Sequence, residues 1–200
     1  MDKRQHAEGE APGKRARTRA ALIEAAAAVI GEKGYDRTTL EDVAQRAGMS
    51  RGAIYGNFKD KEQLFLALVG TRWQPILPEF KPGLQLREQL RTMGKLVAQA
   101  ARERIGMAAA VASFQLYALT HEHMRERMHS ENARVYRALA KQLTEHVAPA
   151  DLPMPALQFV RVLDSVTTGL LFTYFQTPRL IREEDFVAAF EALAPAHVVR

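Results

Sequence analysis

The sequence predicts an all-α protein, an N-terminal three-helix unit followed by a larger helical unit, and three observations carry that reading. Apolar residues recur at the three- and four-residue spacing of amphipathic helices along most of the chain. No segment sustains the period-two alternation of a half-buried strand. Gly, Pro and Ser/Thr/Asp fall between the periodic stretches, where helices start and stop.

Residues 1–16 (MDKRQHAEGEAPGKRA) are polar, contain Gly9, Pro12 and Gly13, and read as a flexible basic arm. Lys14, Arg15, Arg17 and Arg19 crowd its end without an intervening acid. From 18 to 33, Leu22, Ala26, Val29 and Ile30 form one apolar stripe, and Gly34 ends it. Thr39 then caps a short helix, with Asp42 three residues on as reciprocal partner and Leu40, Val43, Ala44 and Ala47 as its buried face. Gly48 closes that helix after barely ten residues. Ser50 caps a third helix over 51–58, whose inward residues are Ala53, Ile54 and Phe58. Asp60 caps a fourth, with Gln63 in the reciprocal position and Leu64, Phe65 and Leu68 facing inward.

Beyond this, Pro75, Pro78, Pro82 and Gly83 punctuate a join. Residues 84–104 carry Leu86, Leu90, Met93 and Val97 at helical spacing. Residues 107–120 are almost wholly apolar and are expected to be buried on most sides. Residues 122–147 read as a long charged helix, 155–177 as a helix with Pro155 in its first turn, and 183–194 as the last helix, on Phe186, Val187, Phe190 and Leu193. The domains are therefore 1–16 (arm), 17–66 and 67–200.

Composition narrows the chemistry. The 200 residues include no cysteine, which excludes disulfides, cysteine zinc sites, iron–sulfur clusters and thiol nucleophiles. The net charge of +5 permits a nucleic-acid partner without demanding one. The longest apolar runs fall short of the ~18–20 residues of a membrane helix. The basic start followed by Ala20–Ile23 imitates a signal peptide, but Glu24 interrupts the apolar run, so the protein is read as cytoplasmic with no membrane partner. No GxSxG, HExxH, P-loop or GxGxxG occurs, so no enzyme and no cofactor are expected. His121-Glu122-His123 is the only metal-like cluster, and i, i+2 residues diverge on a helix, so no metal site is expected either.

Two short helices joined through Gly48-Met49-Ser50 have the layout of a helix-turn-helix. The outer face of the second displays Arg51, Gly52, Tyr55 and Asn57. An arginine can bridge the acceptors of a guanine, and a glycine permits close approach to a groove. Residues 17–68 resemble the DNA-binding domain of the TetR family of transcriptional repressors, most closely its AcrR-like drug-efflux branch. The resemblance lies in Thr38-Thr39…Val43-Ala44…Ala47-Gly48-Met49-Ser50, Arg51-Gly52-Ala53-Ile54-Tyr55 and Phe58-Lys59-Asp60-Lys61-Glu62-Gln63-Leu64-Phe65. Gly56-Asn57 depart from the commoner aromatic-His/Tyr pair.

The resemblance implies that Thr39, with the helix N-terminus it opens, contacts phosphate while Tyr55 and Lys61 grip the backbone; Ser50 and Arg17 are further DNA-binding candidates. Arg51, Gly52 and Asn57 would meet base edges. Each has a plainer alternative: Thr39 as a cap, Tyr55 packed partly inward, Lys61 as a solvated cation. It also implies a homodimer on a palindromic double-stranded operator, paired through the last two helices, with Leu163, Val166, Leu170, Tyr174, Phe186 and Phe190 as seam candidates. The same spacing is open to an intramolecular core. A small hydrophobic effector, unidentified, would bind among Trp73, Met107, Phe114, Tyr117, Met124, Phe172 and Phe175, residues that equally suit ordinary core. Activation rather than repression, or regulation without an inducer, stays open.

Overall fold

The computed structural model describes residues 13–72, 76 and 80–195, which form two compact units divided after residue 73. In the first, α1 (Lys14–Lys33), α2 (Leu40–Arg46), α3 (Arg51–Tyr55) and α4 (Lys61–Arg72) surround one core. Leu22, Ala26, Val29 and Ile30 of α1 are buried as their spacing predicts, with Val43, Ile54, Phe58, Leu64, Phe65 and Leu68. Tyr35, in the loop after α1, sets its ring edge-on to Phe65 at 5.2 Å.

The short helices are defined by local hydrogen bonds. Thr39 and Asp42 form the expected reciprocal pair: Asp42 N–H donates to Thr39 Oγ1 (3.1 Å) and Thr39 N–H to Asp42 Oδ2 (3.0 Å). Ala53 N–H donates to Ser50 Oγ at 3.2 Å. Gln63 N–H donates to Asp60 Oδ1 (2.7 Å), and the Gln63 side chain accepts from Lys59 N–H, one residue ahead of the cap. Gly48 makes the turn between α2 and α3 at φ 65°, a value that favours a residue without Cβ.

Residues 1–12 of the expected arm lie outside the described residues. Its remainder is not an arm: α1 already begins at Lys14, and Arg17 N–H donates to the Gly13 carbonyl at 3.1 Å. Lys, Arg and Ala are strong helix formers, so the helix extends back to the first glycine.

The second unit holds α5 (Leu86–Arg104), α6 (Ala108–Thr120), α7 (Glu122–His146), α8 (Ala156–Gln176) and α9 (Glu183–Glu191), with 3-10 turns at Ile105–Met107 and Pro149–Asp151. Its tightest packing joins α5 to α9: a Cβ on Gly94 would stand 2.7 Å from Val187 Cα and 2.9 Å from the Phe186 carbonyl oxygen. Glycine is what lets these two backbones touch.

Two expectations are corrected here. Helix α6 is not buried on most sides: Ala110, Val111, Phe114 and Ala118 face inward, but Leu116 and Leu119 are 64% and 69% exposed. The packing it receives, mainly from α7, covers one face, so apolar composition overstated its burial. Phe186, Phe190 and Leu163, expected at a dimer seam, are buried in the protomer's own core. Close contact between α5 and α9 consumes the apolar side of the last helix.

Candidate DNA interface

Helix α3 is too short to be held by its own backbone bonds, and side chains from elsewhere fix it. Arg15 donates to the Gly56 carbonyl (3.4 Å) and Arg19 to the Asn57 carbonyl (3.1 Å), at the helix's C-terminal end where cations are favoured. The Arg19 guanidinium also lies 4.3 Å from the centroid of the Phe58 ring. Part of the basic cluster thus supports α3 rather than reaching freely for a partner; Arg17 remains exposed on α1.

Arg51, Gly52 and Tyr55 are exposed on α3, beside Thr39 and Ser50 at the exposed starts of α2 and α3. A Cβ on Gly52 would have Ser50 Oγ at 3.8 Å as its only near neighbour. The fold therefore does not need glycine at that point. Tyr55 Oη donates to Glu41 Oε1 at 2.8 Å, and Arg51 Nη2 lies 3.1 Å from the same oxygen.

Two predicted contacts sit less openly. Asn57 is half-buried, its Nδ2 donating to the Ala53 carbonyl at 2.8 Å. Lys61 Nζ donates to the Tyr35 and Asp36 carbonyls, both at 2.9 Å, and lies 4.6 Å from the centroid of the Tyr35 ring. Burial pulls the Lys61 pKa below the usual lysine value. Its ammonium ties the start of α4 to the loop after α1, a role neither alternative from sequence included.

Sequence reasoning missed Glu41, which gathers Arg51 and Tyr55, and the anchoring by Arg15 and Arg19. No local signal marks these contacts, because the partners are 10 to 41 residues apart.

The expected effector residues are only partly brought together. Phe114 and Tyr117 stack at 6.3 Å, Phe172 and Phe175 meet edge-on at 5.8 Å, Met124 is fully buried and Met107 half-buried. Trp73 lies outside the described residues. A cleft of about 610 Å³ opens elsewhere, lined by residues 83–87, His146–Ala148, Ala150, Asp151, Ala194 and Pro195, and includes none of them. His121 stacks on Tyr117 at 3.7 Å, and its Nδ1 lies 2.9 Å from the Tyr117 carbonyl oxygen. Among the described residues no group of three potential ligands converges on a metal-sized site, and no helix is long and apolar enough to cross a membrane.

Two short capped helices, a glycine turn between them and an exposed face on the second define a helix-turn-helix domain. Residues 22–68 match the family model described as bacterial regulatory proteins, tetR family. Over that span the chain matches the DNA-binding domain of the TetR family, as its residues 39–65 led us to expect.

Among its relatives, the HTH-type transcriptional regulator TtgR of Pseudomonas putida is 50% identical over 54 residues, 27% of this chain and 26% of TtgR. The HTH-type transcriptional repressor BepR of Brucella suis biovar 1 is 44% identical over 55 residues, 28% of this chain and 26% of BepR. These matches thus span about a quarter of the curated relatives' length. The fold likeness extends further: Salmonella enterica GusR superposes with a TM-score of 0.72 at 20% identity, covering 90% of this chain and 94% of GusR. The named relatives are regulators, not enzymes.

Proposed function

We propose that this protein is a transcriptional regulator, a repressor in its basic action, that reads double-stranded DNA with α3. The observation that carries this is the exposed row of Arg51, Gly52 and Tyr55 on a helix anchored from behind by Arg15 and Arg19, with a glycine the fold itself does not need. Arg51 meets base edges, while Tyr55 and the capped starts of α2 and α3 at Thr39 and Ser50 meet phosphate. Arg17 adds a cation from α1.

A homodimer on a palindromic operator is the second part of the reading, since paired reading heads one DNA turn apart need two-fold symmetry. Half-buried Val166, Leu170 and Tyr174, four residues apart along α8, support it as the remaining seam. A small hydrophobic effector that binds the DNA-incompetent state more tightly would release the operator, because equal affinity for both states shifts nothing. The half-buried aromatics Tyr117, Phe172 and Phe175 support that part, as does resemblance to efflux repressors.

The test is selection of duplexes from a random pool, followed by anisotropy titration and light scattering. A palindromic consensus, bound by a dimer with log K falling about 0.9 per neutralised phosphate against log salt, is expected. No selected sequence and no salt-dependent binding would overturn the reading. A thermal-shift screen of hydrophobic cations and acyl compounds, with release of the selected duplex as readout, tests the effector.

A further inference from the structure

Glu41 is an acid placed where DNA phosphates are expected. It occupies the first turn of α2, two residues after the Thr39 cap. Its Oε1 accepts from Tyr55 Oη at 2.8 Å and faces Arg51 Nη2 at 3.1 Å, and the Arg51 guanidinium lies 5.5 Å from the centroid of the Tyr55 ring. The three side chains close a triangle, and all three are solvent-exposed. An anionic oxygen that accepts from a phenol and pairs with a guanidinium stands where a phosphodiester oxygen could stand.

We infer that Glu41 is a specificity-determining residue, an internal stand-in for phosphate that holds Arg51 and Tyr55 until a cognate base pair replaces it. The inference rests on the DNA-reading role proposed above. In any complex the Glu41 carboxylate faces the phosphate backbone, and that repulsion is the same for every sequence. Arg51 leaves Glu41 only where it reaches a base. On a cognate site a guanine returns two acceptors to the guanidinium; on an unrelated site nothing comparable does. The pair is therefore broken on the cognate site and kept on unrelated ones, so Glu41 tempers the preference for the cognate site. The hydrogen bond from Tyr55 holds the Glu41 pKa below its usual value. Because the ion pair is exposed, it opens at little cost.

Glu41→Gln keeps an acceptor for Tyr55 and removes the charge. The probes are a duplex enriched by the wild-type protein from a random pool and a shuffled duplex of the same composition, titrated by fluorescence anisotropy. The variant is expected to bind the enriched duplex about three- to fivefold tighter and the shuffled duplex less than about twofold tighter. Glu41→Ala, which removes the acceptor as well, must widen the ratio in the same direction. Equal gains on both duplexes, or no change on either, would overturn the inference and leave the DNA-reading role standing. Failure of the wild-type protein to bind either duplex would overturn that role and the inference with it.

Discussion

Helices α2 and α3 are seven and five residues long and each begins on a side-chain cap, whereas α5 and α8 run 19 and 21 residues with no side-chain cap at their starts. In the first unit, beside its apolar core, short-range hydrogen bonds fix where each small helix begins, and a few cations reach across to α3. The second is held by long apolar faces in close contact. A helix of one or two turns cannot persist on backbone bonds alone, so caps and anchors determine its position. A helix of five turns can begin loosely and be placed by what it packs against. The exposed reading row belongs to the first kind, and its geometry depends on polar contacts that substitution can remove singly.

This contrast is open to attack at both ends. The largest effect is expected from Gly94→Ala, whose added Cβ would stand 2.7 Å from Val187 Cα. Overpacking of this kind costs about 1–3 kcal/mol. Calorimetry should show the second unit melting earlier while Tyr35 and the first unit's core keep their native chemical shifts. An unchanged melt would mean that α5 and α9 do not meet as described.

Next in size is Arg19→Ala, which removes the bond to the Asn57 carbonyl and the contact with Phe58. A loss of roughly 1–2 kcal/mol in the stability of the first unit is expected, by denaturant titration. Affinity for every duplex should fall with it, since the residue supports α3 rather than reading sequence.

Gly52→Ala should separate stability from binding. Replacing a helical glycine gains about 0.5–1 kcal/mol, and the site has room for a methyl group. The variant should therefore melt slightly later yet bind the selected duplex more weakly. Later melting with full affinity would remove close approach as the reason for the glycine.

The smallest effect concerns acid. The Asp42 carboxyl is held down to about 2 by its bond from Lys33 Nζ at 2.6 Å and those from the Thr39 backbone and hydroxyl. The folded state thus holds this proton less tightly than the unfolded chain does. Its contribution is complete above the ordinary aspartate range and fades as pH falls toward 2. Asp42→Asn should make the first unit's stability less steep between about pH 4 and 2. A slope equal to the wild type's would assign acid sensitivity elsewhere.

What was legible in the sequence follows the same division. Thr39 with Asp42, Ser50 with Ala53 and the turn at Gly48 were readable because each partner lies within a few residues. The helical segments of the second unit were readable from periodicity, but their neighbours were not. A stripe such as Phe186 and Phe190 states that something covers it, and α5 in the same chain proved to be part of that cover. Leu116 and Leu119 show the converse, since an apolar segment need not be covered at all within one protomer. At the reading face, the residue types on α3 were apparent, while their anchoring by Arg15 and Arg19 and their gathering by Glu41 depend on how distant segments meet.

The central claim is that Arg51 on α3 reads a base. Anisotropy titrations of the wild-type protein and Arg51→Ala against the selected duplex, and against versions changed one base pair at a time, test it most directly. The expected result is a loss of roughly 1–3 kcal/mol of discrimination at one position per half-site, with preference elsewhere retained. An Arg51→Ala protein that kept the wild-type preference at every position would contradict the account.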